Sequence, residues 1–439
     1  MTSISPSPAS ALQPARASHR PASFRTGAAR ILESLGRRVI RGSMQQLDSG
    51  RVHLLESSRG VASQSERPDG LTVRIHDPAF YSAAAFGGSI GIAEAYMDGL
   101  WDCDNLPRLI EFVAANRTSV RALESPLAKL LSPLSRIAYF LERNTRAGSR
   151  RNIAAHYDLG NEFFATFLDP TMTYSSAIFE NGADTLERAQ VEKIDRACRK
   201  LHLRPSDHLL ELGTGWGAMA IHAAREYGCR VTTTTISDEQ HRFASQRIHA
   251  ANLQDRVTVL QRDYRDLRGQ FDKLVSIEMV EAVGAEHLPD YFRICSRCLK
   301  PDGAALIQSI VIQDRLFAQA ARRRDFLKKY IFPGSCLPSV AAILDATRRA
   351  TDFSLWHLED IGPHYARTLQ LWRERFMSRL DDVRGLGFDD RFIRMWEFYL
   401  AYCEGTFRSR CVGDVQLLFT KPRSSIPPAS PYALGTPDE

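Results

Sequence analysis

The sequence predicts a Rossmann-like α/β domain with a parallel sheet over residues ~151–420, preceded by a smaller N-terminal α+β domain. Three observations carry this. At 439 residues the chain exceeds the usual single-domain range of ~250–300, so two domains are the default. Short apolar strands alternate with amphipathic helices, the pattern of βαβ units. The stretch Leu209-Leu210-Glu211-Leu212-Gly213-Thr214-Gly215-Trp216-Gly217 reads as a buried strand, an acid and a tight glycine turn leading into a helix over 218–227.

In order, the chain opens with an acid-free, Ser-, Ala- and Pro-rich stretch carrying Arg16, Arg20, Arg25 and Arg30. Residues 1–30 are expected to form a disordered basic tail. Its composition suits an organellar transit peptide or a tail that touches anionic phosphates. Residues 31–115 form the first domain, with strands at Val52–Leu55 and Leu71–Ile75 and a glycine-punctuated turn into a helix over 87–101. Residues 116–150 read as a basic helical linker: Leu127, Leu130, Leu131, Leu134, Ile137 and Leu141 recur at helical spacing among Lys and Arg. Such a stripe either lies on an anionic membrane or packs on the next domain. Strands then fall at Leu209–Leu212, Arg230–Ile236, Val257–Gln261, Lys273–Ile277 and Ala304–Ile312. A helical insertion over Leu316–Phe353 precedes a late antiparallel strand, Cys411–Thr420, and residues 421–439 are expected to be a disordered tail.

The turn selects a cofactor class. Glycine permits a sharp strand-to-helix reversal and close approach of the backbone to a nucleoside. Glu-x-Gly-x-Gly-x-Gly is tighter than the dinucleotide pattern, and the following strand, Arg230–Ile236, lacks the acid that a nicotinamide enzyme sets on its ribose. Both features point to S-adenosylmethionine and a class I S-adenosylmethionine methyltransferase fold. No run approaches the ~18 apolar residues of a membrane span. The net charge of +6 comes from 57 basic and 51 acidic residues, with the basic excess in the tails and linker rather than beside the glycine turn, which argues against nucleic acid. The eight cysteines are scattered; Cys295 and Cys298 lack a second pair and fall in a helical pattern, so no metal site is expected and reduced thiols in the cytoplasm fit.

Over ~50–420 the chain resembles the cyclopropane-fatty-acyl-phospholipid synthases and the mycolic-acid methyltransferases. The resemblance rests on separated motifs: Gly91-Ile92-Ala93-Glu94-Ala95-Tyr96-Met97-Asp98-Gly99-Leu100-Trp101, His156-Tyr157-Asp158-Leu159-Gly160-Asn161, Met172-Thr173-Tyr174-Ser175-Ser176-Ala177, Ala189-Gln190-Val191-Glu192-Lys193, Glu211 to Gly217, Glu278-Met279-Val280-Glu281-Ala282-Val283-Gly284, Tyr330-Ile331-Phe332-Pro333-Gly334, and His364-Tyr365 with Trp372. The region upstream is similar to the extra domain of the phospholipid enzymes.

The resemblance implies transfer of a methyl group from S-adenosylmethionine to a double bond in a phospholipid acyl chain, closing a cyclopropane ring. An alkene attacks the sulfonium methyl and leaves a carbocation; water must be kept away, and a base must take a proton from the new methyl. In the family that base is a bound bicarbonate. By match, Glu281 is the carboxylate beside it, Tyr365 the tyrosine and Ile310 a backbone donor. Ser176 stands where the family has cysteine, and Gln308 where it has histidine; the Ser176 amide and the Gln308 side chain still offer donors, so an anion would be held less tightly, which puts bicarbonate and ring closure in doubt more than methyl transfer. The resemblance sets Glu211, Gly213, Gly215 and Gly217 along the methionine and ribose, Thr235 and Gln240 at the ribose hydroxyls, Asp263 at the adenine amine, and Tyr174 and Ser175 at the sulfonium. His156 and Tyr157 either contact substrate or lock a helix. The implied partner is a phospholipid membrane with unsaturated chains, met peripherally from the cytoplasmic side, and a homodimer is compatible. Alternatives are a methyltransferase giving methyl-branched chains, which Ser176 and Gln308 favour, and a lipid-binding protein without catalysis.

Overall fold

A computed structural model describes residues 27–46, 51–56, 70–116, 159–180 and 185–427. The linker over 117–150, His156 and Tyr157 lie outside the described residues.

Seven strands form the main sheet: β4 (His208–Leu212), β5 (Arg230–Thr235), β6 (Val257–Gln261), β7 (Phe271–Ile277), β8 (Leu299–Ile312), β9 (Ser354–Asp360) and β10 (Val412–Thr420), in the order β6-β5-β4-β7-β8-β10-β9. The strands from β6 to β8 run parallel, and β10 is inserted antiparallel between β8 and β9. The central strands are nearly continuous in apolar or small residues because helices cover both faces. Helices Ala218–Glu226 and Asp238–Ala250 follow β4 and β5, and Leu288–Arg297 leads into β8. Ser237, whose Oγ accepts from the Gln240 amide, caps the second. With this topology, the polar residues that end β4, β5 and β7 open on one edge of the sheet, where ligands bind in such folds.

The N-terminal unit has its own sheet, in which β1 (Val52–Glu56) pairs parallel with β2 (Leu71–Ile75), and β3 (Trp101–Cys103) pairs antiparallel on the other side of β2. Instead of a turn at the glycines, a helix runs over Ala79–Met97 with a kink at Gly88 (φ 57°, ψ −142°), a conformation open to glycine. The unit is joined to the catalytic sheet through the helix Asp390–Arg408. Gly405 of that helix lies so close to the helix Leu106–Ala115 that a Cβ would sit 2.6 Å from the Pro107 carbonyl oxygen. Arg394 stacks on the Tyr96 ring at 4.1 Å and donates to the Trp101 carbonyl at 2.8 Å.

Two expectations are corrected. The helical insertion is not one long element but three short helices, Asp314–Ala320, Phe326–Tyr330 and Val340–Ala350: Asp325 caps a fresh start at Phe326, and Pro333, Gly334 and Pro338 interrupt the chain before the third. It is followed by β9, which sequence patterning missed. This edge strand leaves Leu355, Trp356 and Leu358 about 40% exposed, so it lacks the in–out alternation of a half-buried strand. The chain also stays packed beyond residue 420: Ile426 is buried, and Trp356 donates to the Pro427 carbonyl.

Candidate active site

A cavity of about 1310 Å³ begins at the glycine loop, passes the polar end of β7 and β8 and continues between the catalytic sheet and the N-terminal unit.

Its first end has the shape of a nucleoside cradle. Gly213 and Gly217 adopt φ of +96° and +88°, and the Gly213 and Thr214 amides both donate to the Thr234 carbonyl at 3.1 Å. A Cβ at 217 would press on Ala244 at 3.3 Å, so the loop has no room for a side chain there. Glu211 is buried, burial pushes its carboxyl up to about 8, and its Oε2 is buried without a hydrogen-bond partner. An orphaned buried carboxyl oxygen beside a glycine cradle fits a ligand that brings its own donors. Thr235 Oγ1 donates to Gln240 Oε1 at 2.8 Å, and both line the cavity. Asp263 also lines it, with its two carboxylate oxygens held by Arg265 at 2.8 and 2.6 Å. The residues present fit S-adenosylmethionine.

Further in, Tyr174 shares a 2.8 Å hydrogen bond with the hydroxyl of Tyr399. Ser175 Oγ accepts from Lys193 Nζ, and Gln190 donates to the Ser175 carbonyl at 2.8 Å. Lys193 is fully buried and burial lowers its ammonium to about 8, with the field of Glu278 and Asp414 opposing.

The carboxylate pocket lies next. Glu281 accepts from the Ile310 amide and from Ser309 Oγ, its Oε2 is buried without a partner, and burial together with the charge of Glu278 pushes it up to about 8. Sequence reasoning gave Glu278 no role, yet the pocket is built around it. Its Oε1 accepts from the Ser176 amide at 2.8 Å and from Gln308 Nε2 at 2.9 Å, while Oε2 accepts from the Tyr365 hydroxyl at 2.7 Å. Gln308 Nε2 also reaches Asp414 Oδ2 at 2.9 Å, and its own carbonyl accepts from Gln416 at 3.0 Å. Burial raises both carboxyls of the pair, and Asp414, facing Glu278 and Glu281, is held well above the carboxylate range. Lys193 and Asp414 were likewise missed. The signal for Glu278 was an acid directly after a buried strand, in the same shell as the two departures Ser176 and Gln308.

The pocket bears on the expected bicarbonate. All four donors assigned to that anion, the Ser176 and Ile310 amides, the Gln308 side chain and the Tyr365 hydroxyl, are already engaged by carboxylates of the chain. The residues present do not fit a bound bicarbonate.

Comparison with known proteins agrees with this architecture. Residues 144–417 match the model of the family described as mycolic acid cyclopropane synthetase. The chain belongs to this family. It is 40% identical over 360 residues to the tuberculostearic acid methyltransferase UfaA1 of Mycobacterium tuberculosis, covering 80% of this chain and 84% of the relative. It is 36% identical over 375 residues to the cyclopropane-fatty-acyl-phospholipid synthase of Escherichia coli, covering 84% and 92%. Among solved structures, the mycolic acid cyclopropane synthase CmaA1 complexed with SAH and CTAB superposes with a TM-score of 0.59 at 31% identity, covering 62% of this chain and 98% of that one. The fold is therefore that of the class I S-adenosylmethionine methyltransferases, and the protein is an S-adenosylmethionine-dependent methyltransferase acting on lipid acyl chains.

Proposed function

We propose that the enzyme transfers the methyl group of S-adenosylmethionine to the double bond of an unsaturated acyl chain in a membrane phospholipid, with ring closure to a cyclopropane. The observation that carries this is the continuity of the cavity. It leads from the glycine cradle past Glu278 and Glu281 to apolar walls contributed by the N-terminal unit, among them Ile40, Val52, Leu54, Val73 and Phe86. A straight hydrocarbon fits such a wall, and a polar substrate would lose its hydration there without compensation.

Glu211, Gly213, Gly215, Thr235, Gln240 and Asp263 would hold the cofactor, which supplies an electrophilic methyl on sulfur. The aromatic faces of Tyr174, Tyr365 and Tyr399, with the neighbouring carboxylates, stabilise positive charge that develops on the chain. The apolar walls keep water from quenching it. A buried carboxylate then takes a proton from the new methyl, and the released C–H electron pair forms the second ring bond.

Phospholipid as the substrate is supported by the helix Gly27–Gln46. Ile31, Leu32 and Leu35 are 62%, 44% and 47% exposed beside exposed Arg30 and Arg38, while Val39 and Ile40 of the same helix line the cavity. A basic, apolar surface at the mouth of a hydrocarbon tunnel suits an anionic bilayer. Among the described residues no helix is long and apolar enough to cross a membrane.

A second reading, a methyl-branched product, is favoured by the 40% identity to UfaA1. A saturated branch needs a hydride as well as the methyl group, whereas a ring or an exocyclic methylene needs only proton loss. Trideuteromethyl S-adenosylmethionine and monounsaturated phospholipid vesicles test both readings. Acyl chains that gain a ring and keep two deuteriums are expected. Three retained deuteriums would overturn ring closure, and unlabelled lipid would overturn the substrate assignment.

A further inference from the structure

We infer that Glu278 is this enzyme's built-in proton acceptor, occupying the place of a dissolved anion, so that turnover requires no bicarbonate. The inference rests on the reaction proposed above and adds a residue and an independence to it.

Convergence comes first. A backbone amide, a primary amide and a phenol from three separate elements all donate to one carboxylate. Glu278 lines the cavity, and of these three donors only the Tyr365 hydroxyl falls on Oε2, the oxygen assigned to take the proton. Dissolved bicarbonate would need the same donors.

Backbone conformation is the second, independent observation. Glu278 has φ of +48°, one of five non-glycine residues with positive φ among the described residues. A left-handed L-residue costs about 1–2 kcal/mol, and glycine would relieve it. The strain is retained where it aims a carboxylate at three donors, the sort of place at which such outliers concentrate. The Glu278 amide donates to the Gln308 carbonyl at 2.9 Å, which fixes the backbone beneath the carboxylate.

Burial raises the Glu278 carboxyl, and the field of the buried Lys193 opposes that by favouring its charge. In the step, a C–H bond of the new methyl breaks, its electron pair closes the ring onto the cationic carbon, and the proton goes to Glu278 Oε2. The proton leaves for solvent after product release.

The test compares wild type, Glu278→Gln and Glu278→Gly in carbon dioxide-depleted buffer with and without added bicarbonate. It also follows S-adenosylhomocysteine binding by calorimetry and 13C-bicarbonate binding by NMR. Wild-type turnover should be indifferent to bicarbonate. Glu278→Gln should lose turnover by about 100-fold without rescue, since its amide fills the space but takes no proton. Glu278→Gly should lose as much, bind bicarbonate where wild type does not, and regain about 10-fold on its addition. S-adenosylhomocysteine affinity should stay within about twofold in both variants, because the cradle is separate. Stimulation of wild type by bicarbonate, or full turnover by Glu278→Gln, would overturn the inference. If Glu278→Gly fails to fold, Glu278→Gln still decides it. If no lipid is modified by any protein, the proposed reaction fails, while bicarbonate binding by Glu278→Gly alone still shows whose place Glu278 takes.

Discussion

The two ends of the cavity are built on different plans. In the cofactor cradle, hydrogen bonds close within short stretches or between neighbouring strands: Thr235 to Gln240, Asp263 to Arg265, and the Gly213 amide to Thr234. In the carboxylate pocket, Ser176 reaches across 102 residues to Glu278, Glu278 across 87 to Tyr365, and Gln308 across 106 to Asp414. The cradle is therefore a local device that any strand–loop–helix unit can carry. The pocket exists only when the whole sheet is assembled, and its residues can change together without disturbing the cradle. Affinity for the cofactor and chemistry on the lipid should be separable.

Substitutions can break that separation. The largest effect is expected for Glu281→Gln, which removes a buried carboxyl held by Ile310 and Ser309 at the pocket wall. Turnover should fall by about 100-fold or more, with S-adenosylhomocysteine affinity within about threefold by calorimetry. Loss of cofactor binding would mean the two ends are one unit. Tyr365→Phe deletes one donor to Glu278 and should lower kcat about 10-fold, worth about 1.4 kcal/mol. It should also move the acidic limb of the pH–rate profile upward, because a carboxylate with fewer donors holds its proton more tightly.

The converse test is Gly213→Ala, which strains a φ of +96° and sets a methyl group 3.5 Å from the Met279 side chain, an ordinary contact distance. It should weaken S-adenosylhomocysteine about 10-fold while leaving kcat at saturating cofactor within about threefold. On the lipid side, Ile31→Glu with Leu35→Glu should reduce turnover on anionic vesicles about 10-fold but spare detergent-dispersed lipid.

The smallest effect is on stability. Glu211 and Glu281 rise from 4.5 to about 8 on folding. Between those values the folded chain keeps protons that the unfolded chain has released, so stability present at low pH is lost as pH rises through that window. Thermal melts of the protein alone should show Tm falling from pH 5 to 8, and less steeply in Glu281→Gln.

The same contrast explains what was legible in the sequence. Strands β4 to β8 and β10 announce themselves through apolar runs between turn residues, and the cradle through its glycines. Glu281 and Tyr365 were found because their motifs resemble a family. Glu278 was not, because its partners are scattered along the chain and an acid after a strand becomes a signal only beside the departures at Ser176 and Gln308. Ser176 and Gln308 were seen as losses; in the structure they are donors to Glu278, half of a compensated set. β9 hid because an exposed edge carries no burial pattern.

Gly405 gives the seam between the two units a chemical readout. One wall of the tunnel belongs to the N-terminal unit, and the helices meet there with no space for a methyl group. A carbocation formed in that tunnel survives only while the joint is tight. A wedge such as Gly405→Ala would admit water before it stopped methyl transfer, and the leak would appear as an alcohol on the acyl chain. The ratio of hydroxylated to ring product is thus a gauge of how well the two halves of the molecule close on each other.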